Sequence, residues 1–231
     1  MITSILSSPS FIWIAMIVVM LLSLLVSNML QKRFSKYSQV PITATGAEIA
    51  QRMLASHGIH DVQITCIEGS LTDHYNPKTR TVNLSKDVYY GRHVAAAAVA
   101  AHECGHVIQH QAGYVPLRLR SAMVPIVSFA NKIVSWVLLA GVLLVEAFPQ
   151  LLWAGIFLFA LTTLFSFVTL PVEINASVRA VGWLEDAGIV SYDTRDMAKD
   201  DLKWAAYTYV IAAIGSLATL LYYITLARGR R

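Results

Sequence analysis

Long apolar stretches alternate along this chain with segments of globular polarity. A helix needs about 20 mostly apolar residues to span the hydrocarbon core of a bilayer. Four stretches reach roughly this length, at residues 11–30, 123–148, 151–170 and 204–227. The second contains Lys132 and Glu146 near its ends, and a tilted or partly interfacial helix would accommodate them. The pattern predicts about four transmembrane helices.

The composition agrees with a membrane protein. Of the 231 residues, 56% are hydrophobic and 14% are charged, whereas a soluble chain averages about 25% charged residues. These values exclude an intrinsically disordered protein, and two cysteines exclude a disulfide scaffold. The net charge of +4 is small, so it favours orientation in a lipid bilayer over binding to nucleic acid.

The positive charges predict an orientation. Lys32, Arg33 and Lys36 directly follow the first apolar stretch, and such residues remain on the cytoplasmic side. The polar segment between the first two spans is therefore predicted to be cytoplasmic, in a multi-pass protein of the cell membrane. The arginines in 228–231 disagree with this orientation, because they would lie outside.

The polar segment has the pattern of a small α+β domain. Thr45 and Glu48 have the spacing of a capping box, and Gly58 supplies a stop for the helix that follows. The predicted elements are a helix over 46–57, strands over 62–67 and 81–84, a short helix that Ser85 could cap, and an Ala-rich helix over 92–111.

The Ala-rich helix carries the strongest chemical signal. All seven histidines lie in the polar segment, and His102 and His106 flank Glu103 in a His-Glu-x-x-His pattern. Residues four apart share a helix face, so both imidazoles can bind one ion while Glu103 acts as general base on a water molecule. Zinc suits imidazole ligands. The alternative interpretation is a helix end with two solvated histidines.

A catalytic zinc takes three protein ligands, so a third must come from elsewhere. His110 lies about 12 Å along a straight helix from His102, too far to share its ion. A carboxylate on the same side of the membrane is therefore expected. Glu146 is predicted near the opposite side, while Glu48 and Glu68 precede the motif at a helix start and a strand end.

Glu173 and Glu185 remain as candidates for the third ligand. Glu173 is favoured because two spans separate it from His106, which returns the chain to the same side, and because Pro171 can occupy the first turn of a new helix there. Glu173 comes three residues after the apolar stretch ending at Leu170, which predicts a metal close to the membrane interface. The alternatives are an interfacial acid at Glu173 and a solvated helix end at Glu185.

These motifs resemble the YugP-type membrane neutral zinc metallopeptidases. The resemblance includes Leu-Thr-Asp-His-Tyr at 71–75, Val-Asn-Leu-Ser at 82–85, His-Glu-x-x-His at 102–106 and Pro-Val-Glu-x-x-Ala-Ser at 171–177. It covers most of the chain and implies an integral membrane zinc endopeptidase. It implies His102, His106 and Glu173 as ligands of Zn2+ and Glu103 as the base, and no substrate carries over.

Two upstream segments are candidates for substrate contacts. The oxyanion formed during peptide hydrolysis needs a hydrogen-bond donor besides the metal, and His74 or Tyr75 could supply it. The alternative for this segment is a surface turn before Asn76. Residues 81–84 are either an edge strand that binds an extended substrate by β-addition or a plain core strand.

The predicted molecule is a mostly α membrane protein with a small α+β zincin-like catalytic domain inserted between the first and second spans. The predicted parts are an anchor at 1–35, the catalytic domain at 36–120, a transmembrane hairpin at 121–170, a helical segment with the third ligand at 171–203, and a transmembrane helix with a basic tail at 204–231.

The predicted function is zinc-dependent endopeptidase activity. The partners would be a peptide or protein substrate, membrane-associated, and the lipid bilayer, with no nucleic acid and an oligomeric state that the sequence leaves open. The alternatives are an intramembrane protease, whose motif would lie within a membrane helix, and a non-catalytic zinc-binding membrane protein.

Overall fold

The structure, a computed structural model, describes residues 9–229 and the side chains of residues 13–229. Residues 1–8 of the predicted anchor, and Arg230 and Arg231 of the predicted basic tail, lie outside the described residues. The elements follow in the order α1 (Pro9–Tyr37), α2 (Gly46–Ser56), β1 (Gln63–Ile67), β2 (His74–Asn76), β3 (Thr81–Ser85), α3 (Lys86–Tyr89), α4 (Val94–Gln111), α5 (Val115–Leu143), α6 (Pro149–Asp186) and α7 (Tyr192–Gly229).

Four described helices, α1, α5, α6 and α7, are long and apolar enough to cross a membrane. This confirms the predicted number of membrane helices. All four are longer than their apolar stretches. α5 begins at Val115, α6 continues to Asp186, and α7 already begins at Tyr192. The polar extensions are helical as well, so hydropathy alone underestimated the helix lengths.

The prediction that a new helix starts at Pro171 is wrong. α6 passes through Pro171 without a break, although a proline removes one backbone hydrogen bond and costs about 3 kcal/mol in an exposed helix. Val172, Ala176 and Ala180 follow at four-residue spacing and are fully buried. Burial of this face stabilises the helix across the proline.

The chain divides into two compact units. The first comprises residues 1–25, 119–170 and 208–231, and in its described part it contains most of the apolar helices. Its core includes Val134, Leu138, Leu152 and Ile156. Many large apolar side chains remain exposed on these helices, as lipid-facing surfaces require.

The second unit comprises residues 26–118 and 171–207. It contains α2 to α4 and a sheet of three strands in the order β1-β3-β2, with β1 parallel and β2 antiparallel to β3. The predicted strands at 62–67 and 81–84 are confirmed within a residue or so, whereas β2 was not predicted. β3 is the central strand, with Val82 and Leu84 fully buried, so its interpretation as an edge strand is wrong.

Local signals in the sequence account for the ends of the short helices. Thr45 and Glu48 form the predicted capping box on α2. Gly58 follows the end of this helix with φ +69°, a left-handed conformation that glycine adopts without strain. At α4, the ring Nδ1 of His93 accepts a hydrogen bond from the backbone N–H of Ala96 and so caps the helix.

Candidate metal centre

α4 carries the His-Glu-x-x-His pattern through the core of the second unit. Its first five residues, Val94 to Ala98, are completely buried, because alanine lets neighbouring elements approach closely without losing helix propensity. α4 is not among the described helices that are apolar enough to cross a membrane. Its burial is therefore that of a core helix.

A single glycine brings α6 against α4. A Cβ atom at Gly105 would lie 2.8 Å from the backbone oxygen of Ala176, closer than real Cβ atoms come to a neighbouring backbone. The two helices therefore touch at the residue just before His106. Glu173 lies one turn before Ala176 on α6, and the contact directs its side chain to the two histidines.

The structure brings His102, His106 and Glu173 together. The Nε2 of His102 lies 3.3 Å from the Oε2 of Glu173, and the Nε2 of His106 lies 3.6 Å from the same oxygen. The three candidate ligand atoms all lie within 4.8 Å of one another. Ligand atoms about 2.0–2.1 Å from a tetrahedral zinc are about 3.3 Å apart, so this donor set fits zinc in kind, and the two separations from the Oε2 of Glu173 also fit it in spacing.

Hydrogen bonds to the other ring nitrogens fix the orientation of both imidazoles. The Ser177 hydroxyl donates to the backbone oxygen of Glu173 and therefore accepts from the Nδ1 of His102 at 3.1 Å. The side-chain oxygen of Gln109 accepts from the Nδ1 of His106, also at 3.1 Å. With the proton on Nδ1 in each ring, the Nε2 lone pair is available to a metal.

Glu103 has the environment of a general base. Its residue is only 7% exposed, and its carboxylate makes no hydrogen bond or ion pair among the residues that the structure describes. Its oxygens are not among the fully enclosed, unpartnered atoms of the described residues, so they keep access to solvent and are free to bind a water molecule or accept a proton. Glu103 follows His102 directly on α4, so it flanks the two imidazoles.

The cluster creates a negative field suited to a cation. Burial by itself would lower the pKa of His106, but its hydrogen bond to Glu173 and the charges of Glu103 and Glu173 raise this pKa above its usual value. The same two carboxylates would attract a divalent ion.

The remaining glutamates of the second unit have other contacts. Glu48 belongs to the capping box, Glu68 lies 2.6 Å from the ammonium group of Lys86, and Glu185 forms an ion pair with Arg195 at 2.8 Å. His110 lies near Tyr75, whose hydroxyl is 3.4 Å from its Nδ1. Of the candidate third ligands, the structure brings only Glu173 to the two histidines.

His74 lies on the other face of the sheet. In the register of β2 and β3, His74 is opposite Asn83 and Tyr75 is opposite Val82, and opposed residues share a face. Val82 is buried in the core, and Tyr75 reaches α4 through His110. His74 instead donates from Nδ1 to the backbone oxygen of Thr72 and accepts at Nε2 from the Asn83 amide. Both ring nitrogens are engaged.

Sequence reasoning missed the residues that orient the ligands. Gln109 and Ser177 hold the histidines, and Asn175 accepts hydrogen bonds from both Gln109 and Arg179. Spacing gave a weak signal, since Gln109 is three residues after His106 and Ser177 is four residues after Glu173. Polar residues at such spacing on a helix are too common to be recognised without the packing.

Known proteins provide an independent comparison. A family described as "Putative neutral zinc metallopeptidase" matches residues 12–228. The chain is 42% identical, over 196 residues, to a protein of Bacillus subtilis (strain 168) named "Putative membrane protease YugP", and this match covers 84% of the chain and 86% of that protein. No solved structure matches the chain.

Proposed function

This chain belongs to the neutral zinc metallopeptidase family that matches residues 12–228, and from that membership we propose that it is a membrane-bound zinc endopeptidase. The donor set is the observation that best supports this proposal, because two Nε2 atoms and one carboxylate oxygen lie within 4.8 Å of one another. Beside them lies the buried residue Glu103, whose carboxylate has no partner among the described residues. Two histidines, a glutamate and an adjacent base match the requirements of metal-assisted hydrolysis.

The chain supplies the proton transfers. His102, His106 and Glu173 would hold a zinc ion, which would supply Lewis acidity that lowers the pKa of a water molecule and polarises a carbonyl group. The carboxylate of Glu103 accepts a proton as the water oxygen attacks the carbonyl carbon of the scissile peptide. Glu103 then donates this proton to the leaving nitrogen as the C–N bond breaks, and transfer of the second proton of the water to the amine leaves a carboxylate and an ammonium group.

We assign the additional oxyanion donor to Tyr75 in preference to His74. Tyr75 is on the face of the sheet that packs towards α4, and its hydroxyl reaches His110, which is one turn beyond His106 on nearly the same helix face. The phenol can donate to an oxyanion. His74 has both ring nitrogens engaged, so its role as a donor stays a prediction with less support.

Membrane or membrane-proximal proteins are the proposed substrate class. Glu173 and the apolar stretch that ends at Leu170 belong to the same helix, α6, and the rise from one residue to the other is about 4.5 Å. A substrate whose scissile bond reaches this level is itself close to the bilayer. We also propose that the metal centre faces the cytoplasm, as the charges after the first span indicate.

The two alternative functions have less support. An intramembrane protease would place its motif in a membrane helix, whereas α4 is not among the described helices apolar enough to cross. A non-catalytic zinc protein would have no need of a buried, unpartnered carboxylate at Glu103, next to a ligand.

Substituting the base and the third ligand tests this function. Glu103→Gln should lower hydrolysis of a casein reporter by at least about 10²–10⁴-fold and keep one zinc per chain, because no ligand changes. Glu173→Ala should lose both zinc and activity, while Glu185→Ala, the matched control, should keep both. Zinc content by elemental analysis and cleavage by gel electrophoresis provide the measurements. An active Glu103→Gln protein, or full zinc content in Glu173→Ala, would contradict the assignment.

A further inference from the structure

One buried amide contacts both helices that carry the proposed ligands. We infer that Gln109 is a positioning residue, which fixes His106 on α4 and the backbone next to Glu173 on α6 before any metal binds. The inference rests on the proposed function, since it concerns the same metal centre. It assigns to this chain a residue outside the ligand set on which zinc affinity depends.

The hydrogen bonds of Gln109 use its whole amide. Its residue is fully buried, and its Oε1 accepts from the Nδ1 of His106. Its Nε2 donates to the backbone oxygen of Val172 at 2.8 Å and to the Oδ1 of Asn175 at 3.0 Å. An amide has two N–H donors, and both are satisfied, so the side chain has one favourable orientation.

This orientation has a consequence for each ligand. The acceptor contact keeps the proton of His106 on Nδ1 and presents the Nε2 lone pair to the metal. The donor contact holds the carbonyl of Val172, the residue directly before Glu173, and thus the backbone that carries the third ligand. A carboxylate at position 109 could provide the first contact but not the second, because it has no donor.

The contacts continue to a charged group. The Oδ1 of Asn175 also accepts from the Nε of Arg179 at 2.8 Å, so the hydrogen-bonded chain runs from His106 through Gln109 and Asn175 to a half-buried guanidinium. Gln109 and Arg179 donate to the same oxygen of Asn175, so the charge-assisted bond from Arg179 holds this oxygen in place for Gln109. Arg179 therefore supports the metal centre through Asn175 without contacting the metal itself.

The hydrogen bond that orients His102 involves a residue of the other helix, α6. Ser177 on α6 accepts from the Nδ1 of His102 on α4, while Gln109 on α4 donates to α6. Both sets of hydrogen bonds therefore run from donors on α4 to acceptors on α6, next to the close contact at Gly105. A small displacement of one helix along the other would break bonds on both sides.

Gln109→Met tests the inference, because methionine has nearly the same length and no hydrogen-bonding amide. The full-length protein, purified in detergent, would be titrated with zinc against a chromophoric chelator. We expect the zinc dissociation constant to rise about 10–100-fold. Gln111→Met, an exposed position at the end of the same helix, is the matched control and should not change it.

Further measurements separate positioning from folding. Substitution with Co2+ should show shifted visible absorption bands in Gln109→Met, because the ligands are oriented differently, and unshifted bands in Gln111→Met. If Gln109→Met does not fold, Asn175→Leu tests the inference instead. This variant removes a hydrogen-bond partner of the Gln109 amide, so it should also weaken zinc binding, by a smaller factor. An unchanged dissociation constant in the folded variants would overturn the inference. Wild-type protein that binds no zinc would instead overturn the proposed function.

Discussion

The side chains at 74 and 75 show how one residue of register decides chemistry. Successive residues of a strand face opposite sides of a sheet, and β2 turns Tyr75 towards α4 and His74 away from it. Sequence reasoning treated the two as equivalent donors, because it had neither the pairing with β3 nor the position of α4. The different roles that we propose for them follow from the pairing of Tyr75 with the buried Val82.

Tyr75→Phe is therefore expected to lower kcat by about 10²-fold, the usual effect of removing one oxyanion donor. KM should change little, since the hydroxyl acts on the transition state. Steady-state kinetics on a peptide reporter measure both constants. His74→Ala is the matched comparison and should lower kcat only a few-fold at most. The opposite ranking of the two variants would return the donor role to His74.

At the level of elements, the start of α4 depends on a neutral histidine. Nδ1 of His93 accepts from Ala96, and a protonated ring cannot accept there. Burial lowers the pKa of His93, although its backbone contact with Asp87 opposes the shift. The unfolded chain, with a pKa of about 6.5, therefore binds the proton more strongly than the folded chain does. The stabilisation is present above about pH 6.5 and is lost as the pH falls through the folded value.

The expected result is a loss of stability in acid that a neutral cap prevents. Between pH 8 and pH 5, the metal-free wild-type protein should lose about 1 kcal/mol more than His93→Asn, since a cap is worth about this much and asparagine does not titrate. Thermal unfolding in detergent, followed by circular dichroism, measures the difference. Equal losses in both proteins would show that His93 does not control the acid response.

The contact between α4 and α6 makes a second prediction at this level. A Cβ at Gly105 would meet the backbone of Ala176, which cannot yield without moving α6. Gly105→Ala should therefore displace Glu173 and weaken zinc binding about 10–100-fold, even though alanine raises the helix propensity. Gly182→Ala on α6 is the control, because a Cβ there has no neighbour within 4 Å. Chelator competition measures both, and equal affinities would mean that the close approach is not required.

For the whole molecule, the proposed orientation in the membrane rests on the charges after the first span and on the number of spans. Cys66→Ser leaves only Cys104, whose thiol is buried, and burial raises its pKa, so it should not react. Lys78→Cys and Gln150→Cys, both at exposed positions, can then be labelled separately in this background with a membrane-impermeant maleimide. Gln150→Cys should react in intact cells, and Lys78→Cys only after permeabilisation. The reverse pattern would place the metal centre outside the cell.

Much of the fold could be predicted because its signals are local. Four apolar stretches, the capping box at Thr45, the stop at Gly58 and the helix around His102 all depend on residues a few positions apart. The prediction that a helix starts at Pro171 was wrong, because α6 continues through this residue. Its local preference favours a helix start, yet the buried face of α6 outweighs that preference. β2 was missed because three residues carry too little periodicity to identify a strand.

The sequence by itself determined the class of the molecule and the proposed chemistry, since hydropathy specifies the spans and two histidines four residues apart share a helix face. Topology also reduced the third ligand to Glu173 and Glu185. Only the tertiary structure brought one of them, Glu173, close to the two histidines, and only it brought Gln109 and Ser177 to the imidazoles. The reason is physical, because the close packing of α4 and α6 joins residues more than sixty positions apart, and no local pattern encodes that distance.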